Sequence, residues 1–152
     1  MIVLPDVNVL IAIAWPEHTF HKLALDWFDR TANTGWATSS ITEAGFIRIS
    51  ANASVVGDPV RPSEACALLA QLRDVGTHEF WVDDIELSIS EWFPRDRLVG
   101  YRQVTDAHLL ALGRRHGGTV ATLDRGLVAL SAGLEMSNTV LVSSATSKVT
   151  EE

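Results

Sequence analysis

The chain has 152 residues, of which 47% are hydrophobic, and its formal net charge at pH 7 is −7. This size and composition predict one globular domain with a substantial core and argue against a disordered chain. The acidic balance argues against binding of nucleic acid by bulk phosphate neutralisation, and no apolar run approaches the roughly 18 residues of a membrane span.

Cysteine content and the N-terminus bear on the cellular compartment. Cys66 is the only cysteine, which excludes an intrachain disulfide and a zinc–thiolate cluster. Because Cys66 is close to Leu68 and Leu69 on a predicted helix, we expect it in the core. The N-terminus has no basic leader and turns acidic at Asp6, which argues against a secretory signal. We therefore expect a cytoplasmic protein.

Short apolar stretches alternate along the chain with segments of helical periodicity. Turn and cap signals separate them, such as Asp6, Gly76, Pro94 and Gly117-Gly118. In chain order we predict a strand over 1–4, helices over 7–15 and 19–32, a strand over 35–38, helices over 39–51 and 62–75, a strand over 80–82, helices over 85–93 and 106–116, a strand over 119–122, a helix over 126–132 and a strand over 139–142.

The five predicted strands are short and lack a clean polar alternation, which is typical of a parallel sheet buried on both faces. The fold class is therefore α/β, a single-domain three-layer sandwich around a mostly parallel five-stranded sheet. We expect this domain over residues 1–145, followed by a polar C-terminal tail over residues 146–152.

Four acidic residues fall beyond the carboxyl ends of strands, where a parallel sheet gathers functional groups. Asp6 ends the first strand and Asp124 follows the fourth, while Glu43 lies in the first turn of the helix after the second strand. Asp106 opens the helix that leads into the fourth strand, so it belongs to the same edge. Core packing does not require four carboxylates at one edge.

Four carboxylates in one place favour a divalent cation, because like charges repel and burial favours protonation. A set of carboxylates without cysteine or a histidine triad suits Mg²⁺, with Mn²⁺ as a substitute, better than zinc. A metal-bound water is a better nucleophile at neutral pH, and the ion can stabilise an in-line displacement at phosphorus. This pattern is typical of phosphodiester hydrolysis.

Four fragments carry a resemblance to a known family. In order they are Asp6-Val7-Asn8-Val9-Leu10, Thr42-Glu43-Ala44, Thr105-Asp106-Ala107 and Ala121-Thr122-Leu123-Asp124. Together they resemble the acidic signature of PIN domains, especially the single-domain VapC-type toxins of prokaryotic toxin–antitoxin pairs. The likeness extends from Ile2 to about Val142, and the order and spacing of the fragments make it more specific than any one alone.

The resemblance implies a PIN-like fold and a divalent-metal-dependent endoribonuclease. The catalytic, metal-binding carboxylates that it implies are Asp6, Glu43, Asp106 and Asp124. Asn8 and Thr105 would be supporting polar residues that orient them or touch the RNA substrate. It also implies a homodimer inhibited by a small cognate antitoxin, which would occupy an apolar groove and bring a basic residue toward the acidic site.

Each carboxylate also has a purely structural explanation. Asp6 can cap a helix, Ser40 and Glu43 fit a capping box, Thr105-Asp106 suits a cap and first turn, and Asp124 suits a turn. For any one of these residues taken alone, the structural explanation is favoured as much as the catalytic one, or more. The convergence of all four residues at one edge, with the ordered signature, favours the site.

Several other readings stay open. Arg95, Arg97 and Arg102 precede the site helix and could steer an RNA backbone, although a solvated loop with ordinary ion pairs is slightly favoured. An aspartyl phosphatase is disfavoured because Asn8 stands where that class has a second aspartate, and a receiver domain because Lys148 follows the last strand. A housekeeping RNA-processing nuclease and a catalytically idle binding module remain alternatives.

Overall fold

The computed structural model describes residues 1–136 and 138–144. The elements in chain order are β1 (Val3–Pro5), α1 (Val7–Ala14), α2 (His21–Thr31), β2 (Trp36–Ser39), α3 (Ser40–Ser50), α4 (Pro62–Arg73), β3 (His78–Trp81), two 3₁₀ turns (Arg95–Arg97 and Tyr101–Gln103), α5 (Val104–Arg115), β4 (Thr119–Thr122), α6 (Arg125–Gly133) and β5 (Thr139–Leu141). The tail predicted over residues 146–152 lies outside the described residues. Within those described, no helix is both long and apolar enough to cross a membrane.

The five strands form one all-parallel sheet in the order β3-β2-β1-β4-β5. From β1 the chain adds β2 and β3 on one side and then returns to place β4 and β5 on the other. The strand order therefore reverses beside β1, where Pro5 pairs with Ala121. In open parallel sheets the ligand crevice forms at this reversal, beyond the carboxyl ends of the strands.

The core fills both faces of the sheet, which confirms the predicted three layers. Successive strand residues alternate between faces, so Val3 packs in one apolar cluster and Leu4 in the other. The first cluster joins the sheet to α1 and α2 through Leu10, Trp27 and Phe28, among others. The second includes the buried leucines of α5 and α6. The three central strands, β1, β2 and β4, are buried along almost their whole length, as the strand pattern predicts, whereas the edge strands β3 and β5 are partly exposed.

The helix predicted over residues 85–93 is wrong. The carbonyl oxygen of Glu86 accepts one hydrogen bond from the backbone of Ser90 at 2.8 Å, but the Ser90 hydroxyl then accepts from the Trp92 N–H at 3.1 Å. That side-chain bond replaces a continuing helical bond and ends the turn. Phe93 is instead buried in a small cluster with Ala107 and Ala111 of α5.

The expected burial of Cys66 is also wrong. Helix α4 turns Ala65 and Leu69 toward the core, and Cys66 lies on its exposed side. Leu68 is only partly buried. The apolar neighbours in the sequence therefore did not identify the face of this helix, because only one stripe of it contacts α3.

Gly45 lets α3 approach the first turn of α1 closely. A Cβ atom at Gly45 would lie 2.6 Å from Cγ2 and 3.2 Å from Cγ1 of Val7. Valine strongly prefers one rotamer in a helix, so the change of rotamer that would relieve the 2.6 Å contact is itself unfavourable. Since Val7 follows Asp6 directly, this contact helps to fix the start of α1.

We expect Gly45→Ala to lower the free energy of unfolding by about 1–2 kcal/mol, because overpacking outweighs the gain in helix propensity. Urea unfolding measures the change. Gly133→Ala is the matched control, because it also lies in a helix but its Cβ would meet no atom within 4 Å. It should be neutral or slightly stabilising. Equal effects of the two substitutions would contradict the assigned contact.

Candidate active site

Asp6 holds the junction of β1, α1 and β4. It caps α1, as predicted, because its Oδ1 accepts a hydrogen bond from the Val9 N–H at 3.0 Å. Its Oδ2 accepts a second, from the Thr122 hydroxyl of β4, at 2.5 Å. The residue is 6% exposed. Asp6 is therefore a buried carboxylate with both oxygens hydrogen bonded, at the point where the strand order reverses.

Thr122 connects Asp6 to Asp124. Its hydroxyl donates to Asp6 and accepts from the Asp124 backbone N–H at 2.9 Å. Asp124 in turn caps α6, with Oδ1 accepting from the Gly126 N–H at 2.7 Å. Sequence analysis assigned no role to Thr122, although a hydroxyl residue two positions before a strand-end aspartate could have indicated one.

Asp106 lies in the first turn of α5 and is half-buried. Burial raises the pKa of its carboxyl, and the neighbouring charge of Asp124 raises it further. Burial likewise raises the pKa of Asp6 to about 6; the hydrogen bonds from Thr122 and Val9 oppose this shift, while the charges of Asp106 and Asp124 add to it. The three predicted aspartates therefore lie close enough for their charges to repel one another.

Glu43 has a separate set of polar partners. Its Oε2 accepts from the Thr38 hydroxyl at 2.5 Å and from Arg73 Nη1 at 3.4 Å. Thr38 Oγ1 also lies 2.8 Å from His78 Nε2. Because Thr38 donates its single hydroxyl proton to Glu43, the second contact requires His78 to donate through Nε2. Burial, then the charge of Arg73, lowers the pKa of this histidine. The charges that raise the pKa of Asp6 and Asp106 are those of the other aspartates, and Glu43 is not among them.

The capping box proposed for Ser40 and Glu43 is shifted by one residue. Ser39 caps α3, and its backbone N–H donates to the Thr42 hydroxyl at 3.1 Å. Glu43 is thus free of that local role. Sequence reasoning missed Thr38 and Arg73 as its partners, and His78 as the partner of Thr38. Arg73 lies 30 residues from Glu43 along the chain, and His78 lies 40 from Thr38.

The two supporting residues lie at different places. Asn8 is exposed on α1 and lines a cavity of about 320 Å³ with Ile11 and Trp15. Thr105 is exposed in α5, which begins at Val104, so Thr105 does not cap that helix.

A second cavity, of about 570 Å³, opens beside the aspartates. Asp106 and Asp124 line it together with Arg97, Arg102 and Gln103 and with residues of α6. It therefore combines acidic and basic side chains next to the strand-order reversal. An anionic ligand that bridges metal ions and a guanidinium would suit this combination.

Comparison with known proteins identifies the family. The PIN domain family model matches residues 3–132. The chain belongs to the PIN-domain family. This confirms the predicted resemblance, including its VapC branch: Ribonuclease VapC39 of Mycobacterium tuberculosis is 46% identical over 135 residues, covering 88% of this chain and 97% of the relative. Ribonuclease VapC38 of the same species is 45% identical over 128 residues, covering 84% and 89%.

Solved structures show the same fold at lower identity. FitAB bound to an IR36 DNA fragment has a TM-score of 0.58 at 17% identity, covering 93% of this chain and 94% of that one. FitAcB from Neisseria gonorrhoeae has a TM-score of 0.57 at 16% identity, covering 94% and 97%. At this level of identity the likeness concerns the fold alone.

The donor chemistry of this PIN domain fits a hard cation. Asp6, Asp106 and Asp124 offer carboxylate oxygens, and two of them have raised pKa values that a nearby cation would reverse. Over residues 1–136 and 138–144, no group of three or more His, Cys, Asp or Glu side chains is spaced to hold an ion directly. Mg²⁺ keeps several water ligands, so carboxylates at wider spacing can bind it partly through water.

The buried Asp6 carboxyl makes stability depend on pH. Its pKa is 3.8 in the reference state and about 6 in the folded chain. The unfolded chain therefore releases this proton first, and the contribution of Asp6 to stability falls as pH rises from about 3.8 through 6. Asparagine carries no such proton. Without metal, we therefore expect the unfolding free energy of Asp6→Asn, relative to wild type, to be roughly 1–2 kcal/mol higher at pH 7.5 than at pH 5.

Urea unfolding in EDTA at both pH values measures this difference. Asp29→Asn, on an exposed position of α2, controls for the change in net charge. A gain for Asp6→Asn that does not depend on pH would show that the folded chain does not raise the pKa of Asp6.

Proposed function

We propose that this PIN domain is a Mg²⁺-dependent endoribonuclease, with Mn²⁺ as a substitute, and acts in the cytoplasm as the toxin of a type II toxin–antitoxin pair. The position of the aspartates at the strand-order reversal carries the proposal: Asp6 and Asp124 both bond to the Thr122 hydroxyl, and Asp106 and Asp124 line one cavity. Identity of 46% to Ribonuclease VapC39 over most of both chains supports RNA as the substrate. The net charge of −7 fits an enzyme that contacts RNA through a local site.

The three aspartates act together in the proposed mechanism. Asp6, Asp106 and Asp124 would hold the metal, which supplies a more acidic water and stabilises charge at the phosphorus. Thr122 fixes the Asp6 carboxylate by donating to Oδ2, and the Val9 N–H fixes Oδ1. The products would be a 5′-phosphate and a 3′-hydroxyl.

Glu43 completes the proposed set as a fourth carboxylate. Thr38 and Arg73 hold its Oε2, so direct ligation through that atom would require the Arg73 contact at 3.4 Å to loosen. A water-bridged position would leave both contacts in place. Either position would add a fourth carboxylate to those that hold the metal.

The proposal extends to protein partners. A small cognate antitoxin would bring a basic residue to the acidic edge, which the net charge of −7 favours electrostatically. The 320 Å³ cavity lined by Asn8, Ile11 and Trp15 lies along α1, the helix that Asp6 caps. An antitoxin segment bound there would reach the active site. We also propose that the toxin is a homodimer.

The purified chain, free of antitoxin, should cleave members of a panel of structured RNAs in Mg²⁺ or Mn²⁺ and not in EDTA. Asp6→Asn and Asp106→Asn should each lose at least about a hundredfold in rate, because even residues behind a metal ligand commonly contribute 10- to 100-fold. Gel analysis of end-labelled RNA measures cleavage and its products. Calorimetry with Mn²⁺ tests metal binding independently.

Asp29→Asn is the matched control, because it makes the same chemical change at an exposed position away from the cavity and should keep full activity. Cleavage that survives EDTA and both site variants would contradict the proposed mechanism. Failure to cut any RNA together with failure to bind Mn²⁺ would instead favour a catalytically idle binding module.

A further inference from the structure

We propose that Arg102 binds a backbone phosphate of the RNA next to the cleaved linkage, a role that rests on the proposed ribonuclease function. Arg102 lines the 570 Å³ cavity with Asp106 and Asp124. A volume of this size falls in the usual range of ligand clefts, roughly 300–1,000 Å³. The assignment comes from what each arginine of this region already binds.

Two neighbouring arginines are committed to the protein backbone. Arg97 donates through Nη1 to the carbonyl oxygen of Leu134 and through Nη2 to that of Gly133, both at 2.8 Å. These carbonyls lie at the C-terminal end of α6, where a cation is favoured by the helix dipole. Arg95 donates through Nη1 to the Ser90 carbonyl at 3.1 Å. Both side chains therefore hold the 95–103 region in place.

Arg102 makes a different kind of contact. Its Nε donates to the Tyr101 hydroxyl at 3.2 Å, and its guanidinium carbon lies 5.7 Å from the centre of the Tyr101 ring. Among the described residues, neither its Nη1 nor its Nη2 has a hydrogen-bond acceptor, and it forms no ion pair with a carboxylate. Tyr101 therefore restrains the guanidinium through Nε and leaves Nη1 and Nη2 for a ligand.

The surroundings of Arg102 select an anion as that ligand. Two carboxylates line the same cavity without pairing with Arg102, so a phosphate could contact the guanidinium while metal ions occupy the acidic side. A planar guanidinium donates to two phosphate oxygens at once, which a lysine ammonium does not match in geometry. Tyr101 is 81% exposed and adds a ring on which an unpaired base can stack.

Steady-state cleavage of an RNA that the wild type cuts, in Mg²⁺, tests the contact. We expect Arg102→Ala to raise KM about tenfold, in line with loss of a hydrogen bond to a charged group, and to change kcat much less. Arg102→Lys should recover part of the loss. The slope of log KM against log salt concentration should fall by about 0.7 in Arg102→Ala, as for one phosphate contact on a single strand.

Arg61→Ala is the matched control, because it removes the same charge from an exposed side chain outside the cavity. It should keep the wild-type KM. Unchanged melting temperature and unchanged Mn²⁺ affinity of Arg102→Ala, by calorimetry, establish that the fold and the metal site are intact.

A double-mutant cycle between Arg102 and the RNA backbone locates the phosphate. In each modified RNA, one uncleaved phosphate near the cut is replaced by a neutral methylphosphonate next to a 2′-O-methyl ribose. At one linkage the neutral group should lower kcat/KM of the wild type by the same factor as Arg102→Ala, and it should cause no further loss in that variant.

The outcomes separate this inference from the proposed function. Wild-type cleavage with an unchanged KM in Arg102→Ala, or additive losses at every linkage, would overturn the role of Arg102 and leave the ribonuclease standing. No cleavage by the wild type on any RNA would overturn the proposed function and this contact with it.

Discussion

The candidate active site is built around the Asp6 carboxylate, which accepts one hydrogen bond from α1 and one from β4. It joins elements whose contacting residues lie 116 positions apart along the chain. Because the strand order reverses between β1 and β4, the carboxyl ends of these two strands border the crevice expected in an open parallel sheet. Asp124 and Asp106 take their positions relative to this bond, one through Thr122 and the other from the start of α5.

This arrangement conflicts with stability in the absence of a cation. A carboxylate that is 6% exposed loses most of its hydration, and two hydrogen bonds only partly replace it, so the pKa of Asp6 rises to about 6. Asp106 and Asp124 add repulsion in the same direction. Such strain is characteristic of functional sites, where the fold tolerates a local cost that a ligand relieves. A bound divalent cation would convert each of these unfavourable charges into a favourable one.

Local rules were sufficient for the elements that carry the site. The apolar run before Asp6, the cap, and the threonine-rich strand before Asp124 are all short-range signals, and the strand-end rule then brought the aspartates together. What failed depended on side-chain contacts, several of them with distant residues. Glu43 is held by Arg73 of α4 and by Thr38, which in turn contacts His78 of β3. The helix expected over residues 85–93 is replaced by a turn, because the Ser90 hydroxyl accepts from the Trp92 N–H and Phe93 packs on α5. Neither outcome is encoded in the periodicity of the segment concerned.

The arginines before α5 show the same limit at the level of function. In sequence, Arg97 and Arg102 are equivalent members of one basic loop, and net charge gives no reason to separate them. Geometry does: the carbonyl groups at the end of α6 use both terminal nitrogens of Arg97, whereas Tyr101 uses only Nε of Arg102. An acidic protein that acts on RNA would need attraction at one point without neutralising the carboxylates proposed to hold a metal. A cation restrained by an aromatic ring instead of by a carboxylate meets both requirements, since it keeps its full charge and its fork for the phosphate.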